Sequence, residues 1–143
     1  MRVLIAEDLT LLRDGLARML SAYGFDVVAT VADGAELAAT LVPVRADVSI
    51  VDVRLPPTFT DEGLRATIEP RRAVPGLPVL ILSQFVEQLY ASELLSDRHG
   101  AVGYLLKDRV AEVKDFVEAV RRVANGGTAV SYTHLTLPKK RIV

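Results

Sequence analysis

The 143-residue chain contains no cysteine. That absence excludes a disulfide framework and thiolate chemistry. Its formal net charge is only -1, from 17 basic and 18 acidic residues, so bulk charge gives no strong attraction to nucleic acid or to anionic membranes. No apolar run approaches transmembrane length. The opening stretch "MRVLIAEDL" turns acidic too early for a secretory signal. A soluble, cytoplasmic protein without a membrane partner is the expectation. There are two histidines, His99 before Gly100 and His134 near the end, and neither has metal-ligating neighbours in sequence. Both read as structural or solvent-exposed.

Half of the residues are hydrophobic and 24% are charged, enough for one ordinary domain with a substantial core. Short apolar runs rich in β-branched residues occur at Val3–Ala6, Val27–Ala29, Val48–Val51, Val79–Leu82 and Val102–Leu106. Such runs read as strands buried on both faces. Helical patterns separate them. Leu12, Leu16, Met19, Leu20 and Tyr23 share one helix face. Asp33 and Glu36 form a capping-box pattern ahead of Leu37 and Leu41. Thr60-Asp61-Glu62 offers a cap and first-turn acids before Leu64 and Ile68. Leu89, Glu93 and Leu94 suggest a fourth helix. Val110, Val113, Phe116, Val117 and Val120 form the clearest stripe, preceded by Asp108 and stopped by Gly126-Gly127.

Five strand–helix pairs in alternation imply a parallel sheet covered on both faces. Right-handed crossovers make it a doubly wound, flavodoxin-like α/β sandwich with strand order 2-1-3-4-5. In such a sheet every strand's carboxyl end lies along one edge. Strand one is followed by Glu7-Asp8, and strand three by Asp52. Strand four ends in Ser83, and strand five is followed by Lys107. Each of these alone is an ordinary turn residue, cap or surface lysine. Together they bring three carboxylates to one place, where they must share protons or hold a cation. With no histidine or cysteine near, the donors are hard oxygens, which favour Mg²⁺. Mg²⁺ in turn suggests phosphoryl oxygens as further ligands, with Lys107 and Ser83 facing them and an aspartate available as nucleophile.

The acidic pair in "LIAEDLTLLRDGL", the "DVRLP" stretch, the hydroxyl in "VLILSQF" and the lysine in "GYLLKD" together resemble a bacterial two-component response-regulator receiver domain. The resemblance covers about residues 2 to 127. "RDGL", "GYLLKD" and "NGGTA" resemble the NarL/FixJ (LuxR-type) branch. This likeness implies that Asp52 accepts a phosphoryl group from a sensor histidine kinase. It implies that Asp8 binds Mg²⁺ directly, that Glu7 does so through water, and that the Arg54 backbone carbonyl is a further ligand. Lys107 would contact the phosphoryl oxygens and Asp52, and Ser83 would bond a phosphoryl oxygen once Asp52 is modified. Tyr104 occupies the aromatic switch position and would turn inward; its ordinary alternative is a half-buried tyrosine at a sheet edge. The protein would then be a switch rather than an enzyme. It would dimerise on phosphorylation, either through the first and last helices or through the fourth helix, fifth strand and last helix. It would reach DNA only through a helix-turn-helix domain absent from this chain.

Four departures from the family pattern stand out. Glu7 replaces the commoner aspartate. Asp108 follows the lysine where many receivers have proline, so a cis peptide is not assumed there. Gln84 stands where a small residue is frequent. The loop "PPTFTDEG" is longer than the usual turn and is either an exposed connection, the favoured reading, or a cover over the site. Residues 1–127 are expected to form the receiver domain. Residues 128–143 are expected to be a tail with no folded domain, because "SYTHLTLPKKRIV" lacks helical periodicity and capping logic. Three rivals remain. A dehalogenase-type phosphatase needs a second aspartate where Arg54 stands, and a flavodoxin-like FMN carrier needs a hydroxyl- and glycine-rich loop where "EDLTLLRDG" is acidic. A free-standing receiver acting by protein contact alone is the third.

Overall fold

Runs of three to six residues, most of them apolar, form a parallel sheet in the computed structural model, which describes residues 1–84 and 100–130. The strands are β1 Arg2–Ala6, β2 Asp26–Val31, β3 Val48–Asp52, β4 Val79–Ser83, β5 Val102–Leu106 and β6 Thr128–Val130. The helices are α1 Thr10–Ala22, α2 Gly34–Val44, α3 Glu62–Ala73 and α4 Val113–Ala124, the last preceded by a 3₁₀ turn over Lys107–Ala111. The expected helix around Leu89 and Leu94 lies outside the described residues, as do His99, His134 and the tail from residue 131.

The strand order is β2-β1-β3-β4-β5-β6. The expected 2-1-3-4-5 order holds, and one strand more is added to it. Thr128, Ala129 and Val130, placed in the tail by the sequence reading, pair in parallel with Val102, Gly103 and Tyr104. The cause is the turn that stops α4. Gly126 has φ of +93°, which a side chain disfavours. Its carbonyl accepts from the Ala101 N–H at 2.9 Å, and the Gly127 carbonyl accepts from the Val102 N–H at 3.2 Å. The helix stop is therefore also the start of a strand.

Alternation along the strands divides the core into two layers. Val3 and Ile5 of β1, Val48 and Ile50 of β3, and Leu80 and Leu82 of β4 pack with Leu16 and Leu20 of α1 and with Phe116, Val117, Val120 and Val123 of α4. Leu4 and Ala6, Val51, and Val79 and Ile81 face the other way, against Leu37 and Leu41 of α2 and Leu64 of α3. Strands β3 and β4 are buried throughout, as their unbroken apolar runs predict. β2 is not, because it is an outer strand of the sheet; only Val31 of it is buried. Tyr23 also departs from the expected buried face of α1, since it is the C-terminal cap and 39% exposed.

The cap half of the expected capping box at α2 forms, and its return bond lands one residue before the cap. Asp33 accepts from the Glu36 N–H at 2.7 Å, and Glu36 reaches back to the Ala32 N–H at 2.9 Å. At the far end of α3, Arg71 is a buried arginine whose guanidinium donates to the carbonyls of Leu77, Ala101 and Gly100. It ties the entrances of β4 and β5 together. At the near end of α3, Gly63 meets the backbone of β3 so closely that an added Cβ would stand 1.7 Å from the Asp52 carbonyl oxygen. Only a residue without a side chain lets the helix start there. Gly63→Ala is expected to lower the urea unfolding free energy by about 1–3 kcal/mol or more, because the clash is with backbone rather than with a flexible side chain. A variant that unfolds at the wild-type urea concentration would refute this packing constraint.

Candidate functional site

The carboxyl ends of β1, β3 and β5 put an acid, an acid and an ammonium side by side. Asp52 closes β3, with Leu82 of β4 as its ladder partner and its residue 4% exposed. Glu7 follows β1 directly and is 1% exposed, held by its own N–H to the Val31 carbonyl at 3.0 Å. Asp8 is half-buried beside it. One oxygen from each of Glu7, Asp8 and Asp52 can be chosen so that all three lie within 4.8 Å of one another. Lys107, the first residue after β5, places its Nζ 3.0 Å from Asp52 Oδ2 and 3.5 Å from Glu7 Oε1. The sequence-derived juxtaposition of these four side chains is thus realised.

Backbone groups hold the acids. Asp52 Oδ1 accepts from the Arg54 N–H at 3.2 Å, so its two oxygens face different donors: an amide and an ammonium. Glu7 Oε2 accepts from the Leu9 N–H at 3.1 Å, and the Glu7 carbonyl accepts from the Arg13 guanidinium at 3.1 Å. Glu7 Oε1 is buried and accepts no hydrogen bond among the described residues. Burial, and then the neighbouring negative charge of Asp52, push the Glu7 carboxyl up to about 7, against the pull of the Leu9 amide and Lys107. Burial by itself would lower the Lys107 ammonium. The hydrogen bond and charge of Asp52, helped by Glu7, outweigh burial and raise it.

The donor set fits a small divalent cation. Three hard carboxylate oxygens converge, one of them buried without a hydrogen-bond donor, and a second positive charge would relieve the repulsion that a single lysine leaves. Glu7, Asp8 and Asp52 are the side chains that would hold Mg²⁺.

The remaining expected site residues lie around this centre. Ser83 is fully buried at the end of β4, one residue beyond the ladder partner of Asp52. Arg54 is half-buried at the mouth of the site. Tyr104 is 1% exposed within β5. It is more buried than the half-buried edge tyrosine of the alternative reading, because its side chain packs into the core layer that holds Val51, Leu64, Val79 and Ile81. Gln84 is exposed at the bend after β4. The Lys107–Asp108 peptide is trans, and the cis peptide among the described residues is Pro56–Pro57. Sequence reasoning missed Gly63, whose one visible signal is a glycine in a helix's first turn, where propensity disfavours it. It missed the Leu9 amide too, since a backbone donor leaves no trace in residue type.

Fold and site define a class: a flavodoxin-like sandwich with a lysine-balanced acidic centre at the carboxyl edge of its sheet. The model of the response regulator receiver domain matches residues 3–121. The oxygen regulatory protein NreC of Staphylococcus epidermidis is 36% identical over 131 residues, covering 91% of this chain and 57% of that protein. The signal receiver domain of the response regulator NarL from Mycobacterium tuberculosis is 29% identical with a TM-score of 0.64, covering 82% of this chain and 95% of that one. The isolated receiver domain of RcsB from Salmonella enterica serovar Typhimurium, solved with the phosphomimetic BeF3-, shares the fold at a TM-score of 0.74 and 23% identity, covering 93% of this chain and 94% of that one. The chain belongs to the response regulator receiver domain family, in its NarL/FixJ branch. It spans little more than half the length of the curated relatives it matches. Receiver domains are signalling switches. No described helix is long and apolar enough to cross a membrane.

The raised Glu7 carboxyl has a measurable consequence. Its folded-state value lies above its unfolded one, so the stability it contributes is full below about 4.5 and is lost as pH rises through about 7. Metal-free protein is therefore expected to lose thermal stability between pH 5 and 8, as the second buried negative charge develops. Glu7→Gln is expected to flatten that loss. Calorimetric titration of wild type should give tighter Mg²⁺ binding at pH 8 than at pH 6, because the proton on Glu7 competes with the metal. A flat affinity across this range would overturn the assignment of Glu7.

Proposed function

We propose that this receiver domain is switched by phosphorylation of Asp52 by a sensor histidine kinase. The observation that supports it best is the convergence of the Glu7, Asp8 and Asp52 oxygens within 4.8 Å, with the Lys107 ammonium 3.0 Å from Asp52. In the proposed transfer an Asp52 carboxylate oxygen attacks the phosphorus of a phosphohistidine. The new bond is a mixed anhydride, the P–N bond breaks, and the electron pair leaves with the imidazole. Mg²⁺ held by Glu7, Asp8 and Asp52 would supply positive charge to offset that of the transferring phosphoryl group.

The chain's own residues do the rest. The Arg54 amide and Lys107 each hold one oxygen of Asp52 and so orient the carboxylate for attack. Lys107 then pairs with the phosphoryl oxygens and Ser83 donates its hydroxyl to one of them; the Arg54 carbonyl would be a further ligand to Mg²⁺. Tyr104 is the switch residue, and its buried ring corresponds to the inward member of the pair of states. The domain is an acceptor with two states and not an enzyme that turns over a separate substrate. Its folded unit includes residues 1–84 and 100–130, with β6 as its last described strand. The phosphorylated form dimerises. In the whole protein, which is cytoplasmic, it controls a helix-turn-helix output domain that binds DNA.

Labelling with acetyl phosphate and Mg²⁺ tests the acceptor. Wild type is expected to incorporate one phosphoryl group, and Asp52→Asn none; label persisting in Asp52→Asn would defeat the assignment. Lys107→Ala is expected to take up phosphate yet fail to dimerise by sedimentation. Dimerisation equal to wild type would remove Lys107 from the switch.

A further inference from the structure

The segment from β3 into α3 is tied to Asp52 at its start, to the Val53 carbonyl at its end, and across its loop by one carboxylate. At its start the Arg54 N–H donates to Asp52 Oδ1 at 3.2 Å. At its end the Gly63 N–H donates to the Val53 carbonyl at 3.0 Å, with Gly63 pressed against the Asp52 carbonyl. Between these ends Glu62 turns back over the loop instead of outward along its helix. Its Oε2 accepts from the Thr58 N–H at 2.8 Å and from the Thr58 hydroxyl. Its Oε1 accepts from the Thr60 N–H at 3.0 Å. The Thr58 hydroxyl, with the amides of Thr58 and Thr60, holds the Glu62 carboxyl down at about 2, so it is ionised throughout the working range.

Such a clasp has something to restrain. Phe59, between the two threonines, has φ of +57°, an outlier for a bulky side chain, and the residue is 47% exposed. A left-handed aromatic residue persists only where the surroundings over-determine it. Its N–H to the Leu55 carbonyl at 3.1 Å and the Glu62 clasp supply that restraint.

We propose that Glu62 is a positioning residue for the acidic centre. It fixes the loop of residues 54–62 in one conformation, and through the loop it sets the direction of the Arg54 main chain and the orientation of the Asp52 carboxylate. The inference rests on the reading of the centre as a Mg²⁺ site and adds to it a residue that does not touch the metal.

The test is titration of Mg²⁺ into the full chain, followed by ¹H–¹⁵N spectra, with urea unfolding measured in parallel. Glu62→Ala is expected to weaken Mg²⁺ binding on the order of 10-fold, the scale seen when outer-shell partners are lost, and to shift the Arg54 amide resonance. Glu62→Gln is expected to recover part of the affinity, because its amide oxygen still accepts from Thr58. Asp8→Ala is the control and is expected to abolish binding. A folded Glu62→Ala protein with wild-type affinity and an unmoved Arg54 amide would overturn the positioning role while leaving the metal site intact. Wild-type Mg²⁺ affinity in Asp8→Ala would overturn the metal site itself. Should Glu62→Ala fail to fold, Thr58→Val decides by the same two readouts. A few-fold loss with a shifted Arg54 amide supports the role, and wild-type values for both refute it.

Discussion

Two buried carboxylates, Glu7 and Asp52, stand against one ammonium, Lys107. The rest of the domain is arranged so that this unequal balance can exist. Three parallel strands must end at one edge for the three side chains to meet at all, and the core layers on both faces keep those strands in register. Burial alone would neutralise the acids by protonation. For Glu7 that push, opposed by Lys107 and the Leu9 amide, leaves the carboxyl poised near neutral pH. A site with one positive charge too few is one in which an added cation, and then an added phosphoryl group, changes the local energy substantially.

Much of this was legible in residue types. Unbroken apolar runs gave β1, β3 and β4, and the acids and lysine that follow them fell on one edge because the topology leaves no other place for them. What was not legible falls into two kinds. One is backbone geometry: the Leu9 and Arg54 amides hold Glu7 and Asp52, yet any residue could supply an amide. The other is a side chain used against its usual type. Arg71, in the last turn of α3, reads as a solvated helix end beside Arg72. Instead it lies buried and bridges three carbonyls. Glu62 reads as a first-turn helix acid favoured by the dipole, and it serves as a clasp for the loop before it.

The sheet's outer strands carry a related lesson. β2 was expected to be buried on both faces and is half exposed, because strand order and not composition decides which strand lies outermost. At the other side, a three-residue strand that looked like the start of a tail completes the pairing of β5. Periodicity cannot announce an element so short. Its signal was the glycine pair before it, which was read only as a stop.

That short strand changes what counts as the boundary of the molecule. β5 carries Tyr104 and leads directly into Lys107, and without β6 its outward amides and carbonyls would form a bare ribbon open to pairing with another chain. A recombinant domain trimmed at the glycine pair would look complete by family length, yet it would expose that ribbon to self-association unrelated to signalling. Fusions and truncations of this protein are best cut beyond Val130, where the seam is already sealed.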